Sequence, residues 1–191
     1  MPGNWEIGLE VVKLMVGASV PAILAYLGLA LNKRLKSIDQ AQWQNRKIIE
    51  IRLDIYKDIS PKLNSMFCFC MWIGDWKYTS PADMVNLKRS TDKTVNVYRH
   101  LLTEGFYASY DNFVQSVFQT FNGPGEDAKI RSPIISTDGD RRAAFKGQWE
   151  ATWNTMFASG APTPKEEISQ NYNIMMNEFR ACIGLKEAEL K

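Results

Sequence analysis

Any chemistry in this sequence must be built from few parts. His100 is the only histidine among 191 residues, so most His-based metal sites drop out, and any His-dependent catalysis would rest on this one side chain. Cys68 and Cys70 stand two apart, and Cys182 is distant in the chain. A metal site would need a matching second half, which is missing. The apolar neighbours of these cysteines read instead as reduced, buried thiols. Glu166-Glu167 and Asp138/Asp140 read as acids at helix starts, not as a catalytic pair. No phosphate-cradling glycine loop, nucleophile elbow or zinc-protease helix occurs. The reading is therefore non-enzymatic, with no metal and no cofactor.

The cationic residues are more suggestive. Lys129 and Arg131 fall in the longest irregular stretch, residues 123–137, and Arg141, Arg142 and Lys146 follow it. Together they would suit an anion or a nucleic acid, and a solvated face is the plainer alternative. The net charge of +2, from 23 basic and 21 acidic residues, supplies no global pull toward nucleic acid.

The elements that position these residues read as helices on a membrane anchor. Between Lys13 and Lys33 lie 19 residues without formal charge. At about 1.5 Å per residue they reach roughly 28 Å, close to the ~30 Å of a hydrocarbon core. The flanks lack the basic start of a cleaved signal peptide, and the run is long for a buried soluble helix. The expectation is one transmembrane helix in residues 1–33 and a cytoplasmic bundle in residues 34–191. Lys33, Arg34 and Lys36 follow the run, which places the N-terminus outside and the bundle in the cytoplasm of a bacterial inner membrane.

One face of this helix combines charge with small side chains. Glu6, Glu10, Lys13, Gly17, Pro21, Ala25 and Gly28 recur every three or four residues, with Ala18 and Ala22 beside them. Small residues let helix backbones approach in lipid, and intramembrane charges turn toward protein or water. The stripe is the candidate for helix packing or pore lining in a homo-oligomer. A headgroup-level pairing of Glu10 with Lys13 is the alternative.

The remainder reads as all-α, with five or six helices. Residues 33–59 form a helix with Ile48, Ile49, Ile51, Leu53, Ile55 and Ile59 on its apolar face and Arg52 outside it. It continues the membrane helix, with Pro61 as a kink or restart. Residues 62–73 form a central buried helix ended by Gly74-Asp75. Thr79-Ser80-Pro81 with Asp83 opens a helix to about Leu102, with Tyr98 inward. Another spans about 104–121, stopped by Asn122-Gly123-Pro124-Gly125. Asp138 starts a helix to Phe157 with Phe145, Trp149, Trp153 and Met156 as its stripe. Thr163 caps the last, which runs to about Leu185.

A single N-terminal membrane helix, an all-α cytoplasmic domain of this size and an assembly-prone stripe resemble small bacterial anti-phage membrane effectors. The architecture is similar to the accessory membrane proteins of type VI-B CRISPR systems. The segment RLDIYKDISPKLNSMFCFCMWIGDWKYTSPADMVNLKR, residues 52–89, also resembles bacterial membrane proteins. The resemblance implies a divergent HEPN-like bundle and a ring-shaped pore in antiviral defence. It also implies a partnership with an RNA-guided CRISPR ribonuclease or its RNA. HEPN ribonucleases pair Arg with a His across four to six intervening residues. Here the three positions hold Val95, Thr94 and Lys93 before His100, and Lys lacks the bidentate fork. The alternatives are a membrane-anchored binding module for a nucleotide or nucleic acid, or a ribonuclease using His100.

Overall fold

The computed structural model describes residues 3–120 and 123–185, apart from the side chains at 4, 6, 7, 11, 12, 16, 18–20 and 22. The chain divides into two compact units, Met1–Lys47 and Ile48–Lys191. The expected boundary at 33/34 falls inside the first. The structure is mostly helical, as the patterning suggests.

Helix α1 (Asn4–Met71) takes in the expected 33–59 helix and the expected 62–73 helix up to Met71 in one element. Pro61 does not end it. Within the first unit the described large side chains are uncovered, among them Leu14, Ile23, Leu24, Tyr26, Leu29 and Leu31. Among the described residues, no helix is long and apolar enough to cross a membrane.

In the second unit α1 contributes Ile55, Ile59, Leu63, Met66, Phe69 and Cys70 to the core. These positions recur at three and four, so one stripe is buried. Ile48, Ile49, Ile51 and Leu53 are exposed, so the buried face is narrower than expected. Arg52, expected outside that face, is half-buried. It donates from Nε to the Leu101 carbonyl and from Nη1 to the Cys182 carbonyl at 2.9 Å. Both acceptors lie at helix C-termini, where free carbonyls favour a cation.

The end of α1 is unusual. Ile73 N–H donates to Cys68 O (3.1 Å) and Trp72 N–H to Phe69 O (3.3 Å). This is the Schellman pattern, whose turning residue is left-handed and normally glycine. Here that residue is Trp72, with φ of 61°. Gly74 follows with φ of 59°.

Helix α2 (Pro81–Val97) begins as the local sequence dictates. Ser80 Oγ accepts from Asp83 N–H, and the Asp83 carboxylate accepts from Ser80 N–H. The helix stops at Val97; a 3-10 turn over Arg99–Leu101 follows. Tyr98 is exposed rather than inward. Helix α3 (Glu104–Val117) ends earlier than expected, because Phe118–Gln119 becomes strand β1. Phe121, the expected last residue of that helix, and Asn122 of the proposed stop lie outside the described residues.

The long irregular stretch contains β2 (Lys129–Ile130), antiparallel to β1, and β3 (Ile135–Ser136), antiparallel to β4 (Gly139–Asp140). The expected helix over 138–157 does not form. In its place are α4 (Arg141–Ala144) and a 3-10 turn over Ala151–Met156. Arg141 N–H bonds to Ile134 O and Lys146 N–H to Lys77 O, so distant partners take the amides a helix would use. Helix α5 (Lys165–Cys182) has Pro164 at its cap with no side-chain bond, so Thr163 does not cap it. The helix stops short of Leu185, where Gly184 takes a φ of 82°.

Helices α3 and α5 pack through stacked Phe106 and Phe179, 4.2 Å between centroids. Helix α5 also meets α1: Tyr56 lies edge-on to Phe179 at 4.9 Å, and Phe67 stacks on Tyr172 at 4.3 Å. This aromatic wedge holds the second unit together.

Candidate functional site

The sequence-derived candidates separate into distinct environments. Glu10, Lys13, Gly17, Pro21, Ala25 and Gly28 are all exposed on α1 of the first unit. An added Cβ at Gly17 or Gly28 would meet nothing within 4 Å. Neither glycine is therefore required by packing inside one chain. The side chains of Glu6, Ala18 and Ala22 lie outside the described residues.

His100 is exposed in the 3-10 turn after α2. Its neighbour Arg99 lies over the Tyr107 ring at 4.0 Å. Cys68 is half-buried, while Cys70 and Cys182 are buried. Burial pushes the Cys70 thiol up to about 12 despite the nearby Arg141 charge.

The four suspected anion-binding cations do not form one patch. Arg141 is buried, at 2% exposure, which corrects its reading as part of a solvated basic face. Its guanidinium carbon lies 4.0 Å from the Phe69 ring centroid and 3.8 Å from that of Trp72, with Trp76 further off. Nε donates to Pro133 O, and Nη2 donates to Phe69 O and Ser132 Oγ. The aromatic faces and carbonyl dipoles take the place of a carboxylate. Desolvation lowers the guanidinium's pKa to about 10, still well above neutrality. Arg141 Nη1 and Trp72 Nε1 are buried without a hydrogen-bond partner among the described residues.

Arg142 points elsewhere. It bonds the Asp140 carboxylate through Nε and Nη2 at 3.1 and 3.0 Å. That fork holds Asp140 below the usual carboxylate range.

Lys129 and Arg131 do meet, along a groove of about 640 Å³. Strand β2 positions them. Ile130 pairs with Phe118 on one side and bridges to Phe157 on the other. Arg131 N–H donates to Val117 O at 2.7 Å, and Arg131 O accepts from Thr163 N–H at 2.9 Å. Arg131 is exposed and has no side-chain partner among the described residues. Lys129 pairs with Glu126 at 3.3 Å.

Ser132, Asn154, Thr155 and Ser159 add hydroxyl and amide groups to the lining, and among the described residues no carboxylate lines it. Ser132 is buried and already accepts from Arg141. Asn154 Oδ1 accepts from Trp149 Nε1 at 3.3 Å, leaving its amide nitrogen as a donor. The sequence reading missed Ser132 and Asn154. Ser132-Pro133 within the loop was the only local signal, and Asn154 lay inside the stretch expected to be helical.

No family model, curated protein or solved structure matches this chain.

Proposed function

We propose that this chain is a non-enzymatic membrane effector. Its N-terminal helix crosses a bacterial inner membrane, gathers with copies of itself and forms a conduit. One observation supports the reading above the others. The described large apolar side chains of the run from Leu14 to Leu31 are uncovered. An apolar surface that large is unstable in water and marks a membrane or a partner. Its uncharged length suits a bilayer. The exposed Gly17, Pro21, Ala25 and Gly28 face favours close helix contacts there.

Lys33, Arg34 and Lys36 orient the helical domain to the cytoplasm. A conduit at 100 mV lets each elementary charge fall through about 2.3 kcal/mol, so depolarisation is strongly driven. The resemblance to type VI-B CRISPR accessory proteins adds an antiviral setting. There, an RNA-guided ribonuclease or its RNA is the trigger. The HEPN-like character of the bundle belongs to the same proposal.

The test is the particle mass of detergent-solubilised protein together with dye release from liposomes. A multimer and leaky vesicles are expected. A particle of about one chain, or vesicles that stay sealed, overturns the pore. Replacing residues 8–32 with an unrelated single-span helix should abolish leakage. Retained leakage would reduce the helix to an anchor.

A further inference from the structure

The groove beside β2 carries an assignment independent of the membrane reading. Its size falls within the ~300–1,000 Å³ of small-molecule sites. Its lining carries Lys129, paired with Glu126 beside the groove, and Arg131, and among the described residues no acid lines it. Neighbouring cations are paired: Arg142 with Asp140, Lys165 with Asp138, and Arg89 with Asp127. Arg131 is left as a guanidinium fork at the groove, with its backbone tied on both sides.

Behind it stands Ser132, whose hydroxyl oxygen accepts from buried Arg141 at 2.8 Å. That bond leaves the hydroxyl proton free to be donated. A hydroxyl backed by a buried cation favours an anionic oxygen in front of it. The opposite character is also present. Pro133, Ile134, Phe157 and Pro162 give an apolar wall, and the Asn154 amide nitrogen is a donor beside it. A forked cation, a polarised hydroxyl, an apolar wall and an edge donor match a phosphate ester bearing a flat heterocycle.

We propose that this groove binds a nucleotide-sized organic phosphate. The phosphate lies on Arg131, Ser132 and Lys129, and the base lies against Ile134 and Phe157. In binding, Lys129 exchanges its Glu126 partner for the ligand.

The test is calorimetric titration of the full chain in neutral detergent with AMP, GMP, CMP and UMP. Inorganic phosphate and phosphatidylglycerol vesicles serve as separate arms. Saturable binding of at least one nucleotide is expected. Arg131→Gln should weaken it about tenfold or more, as befits loss of a charged hydrogen bond. Ser132→Ala should weaken it several-fold, with circular dichroism checking the fold. Arg142→Gln, paired outside the groove, should leave it unchanged. No nucleotide binding, or binding indifferent to Arg131→Gln, overturns the proposal. Phosphate binding as tightly as the nucleotides removes the role of the apolar wall. Binding of the vesicles alone through Arg131 replaces the nucleotide with a lipid headgroup. The titration reads the same whether the particle is monomeric or multimeric, so its failure is separable from failure of the pore.

Discussion

The Arg141 guanidinium lies 3.8 Å from the centroid of the Trp72 ring, and each residue explains an oddity of the other. Trp72 holds a left-handed backbone that costs an L-residue about 1–2 kcal/mol. Arg141 is a cation buried without a carboxylate in contact. Stacking supplies the cation with a π face and gives the tryptophan a reason to occupy a glycine position.

Arg141→Ala should destabilise the second unit by about 3–5 kcal/mol, because it opens a cavity and strands Ser132 and two carbonyls. Arg141→Lys should recover only part of this, since an ammonium lacks the planar fork. Urea midpoints of the full chain in detergent, followed by tryptophan fluorescence, check both.

Trp72→Gly should be destabilising despite removing the backbone strain. The strain is worth about 1–2 kcal/mol, while truncating a buried aromatic costs about 3–5 kcal/mol. The tryptophan also packs edge-on to Trp76 at 4.8 Å. A variant at least as stable as the parent would show that the stack contributes little.

Burial of Cys70 predicts a loss of stability at alkaline pH. Its thiol stays protonated in the fold to about pH 12, against 9.0 for the free group. Above pH 9 the unfolded chain sheds a proton that the folded chain keeps. Stability therefore falls as pH rises through this window, by about 1.4 kcal/mol per unit from this group alone. Cys70→Ala should flatten the slope of denaturation midpoint against pH between about 9 and 11. An unchanged slope would assign the alkaline loss to other groups.

Tyr110 donates to Asp92 Oδ1 at 2.5 Å, and Lys88 Nζ meets Asp92 Oδ2 at the same distance. Burial, first, and the Asp92 charge, second, push the phenol well above its ordinary value. Tyr110→Phe should cost about 1–3 kcal/mol, because the partly buried carboxylate loses a donor. Tyr110→Phe with Asp92→Asn should cost less than the sum of the single changes. Additive losses would show that the two groups act separately.

Gly17→Leu separates the fold of one chain from its assembly. Nothing lies within 4 Å of the added Cβ, so helical content should hold or rise. Under the pore proposal the bulk blocks helix approach, and cross-linking in membranes should drop several-fold. Undiminished cross-linking would place the contact on another face.

Much of the helical architecture was legible because its signals are local. The Ser80–Asp83 capping box is complete within four residues, and the Ile55, Ile59, Leu63 and Met66 stripe needs only a helical period. The segment after β4 was not legible. Phe145, Trp149 and Trp153 have α-helical spacing, yet they cluster at 5.4–6.1 Å on backbone that forms no common α-helix. Bonds to Ile134 and Lys77 displace helical ones, and no local pattern announces them. The burial of Arg141 depends on Phe69 and Trp72, about 70 residues away in sequence, so an Arg-Arg pair read as surface. Lys129 and Arg131 were recognised from their loop; the wall opposite them comes from residues 154–162 and needed the fold.

Strand β2 has company on both edges, Phe118 on one and Phe157 on the other. The Ile130 carbonyl accepts from Ala158 N–H, and both main-chain polar groups of Arg131, next in the chain, are engaged by Val117 and Thr163. An extended peptide therefore finds no open ladder there to lengthen. Recognition in that groove falls to side chains, so its selectivity is open to change by single substitutions at the rim without disturbing the strand beneath.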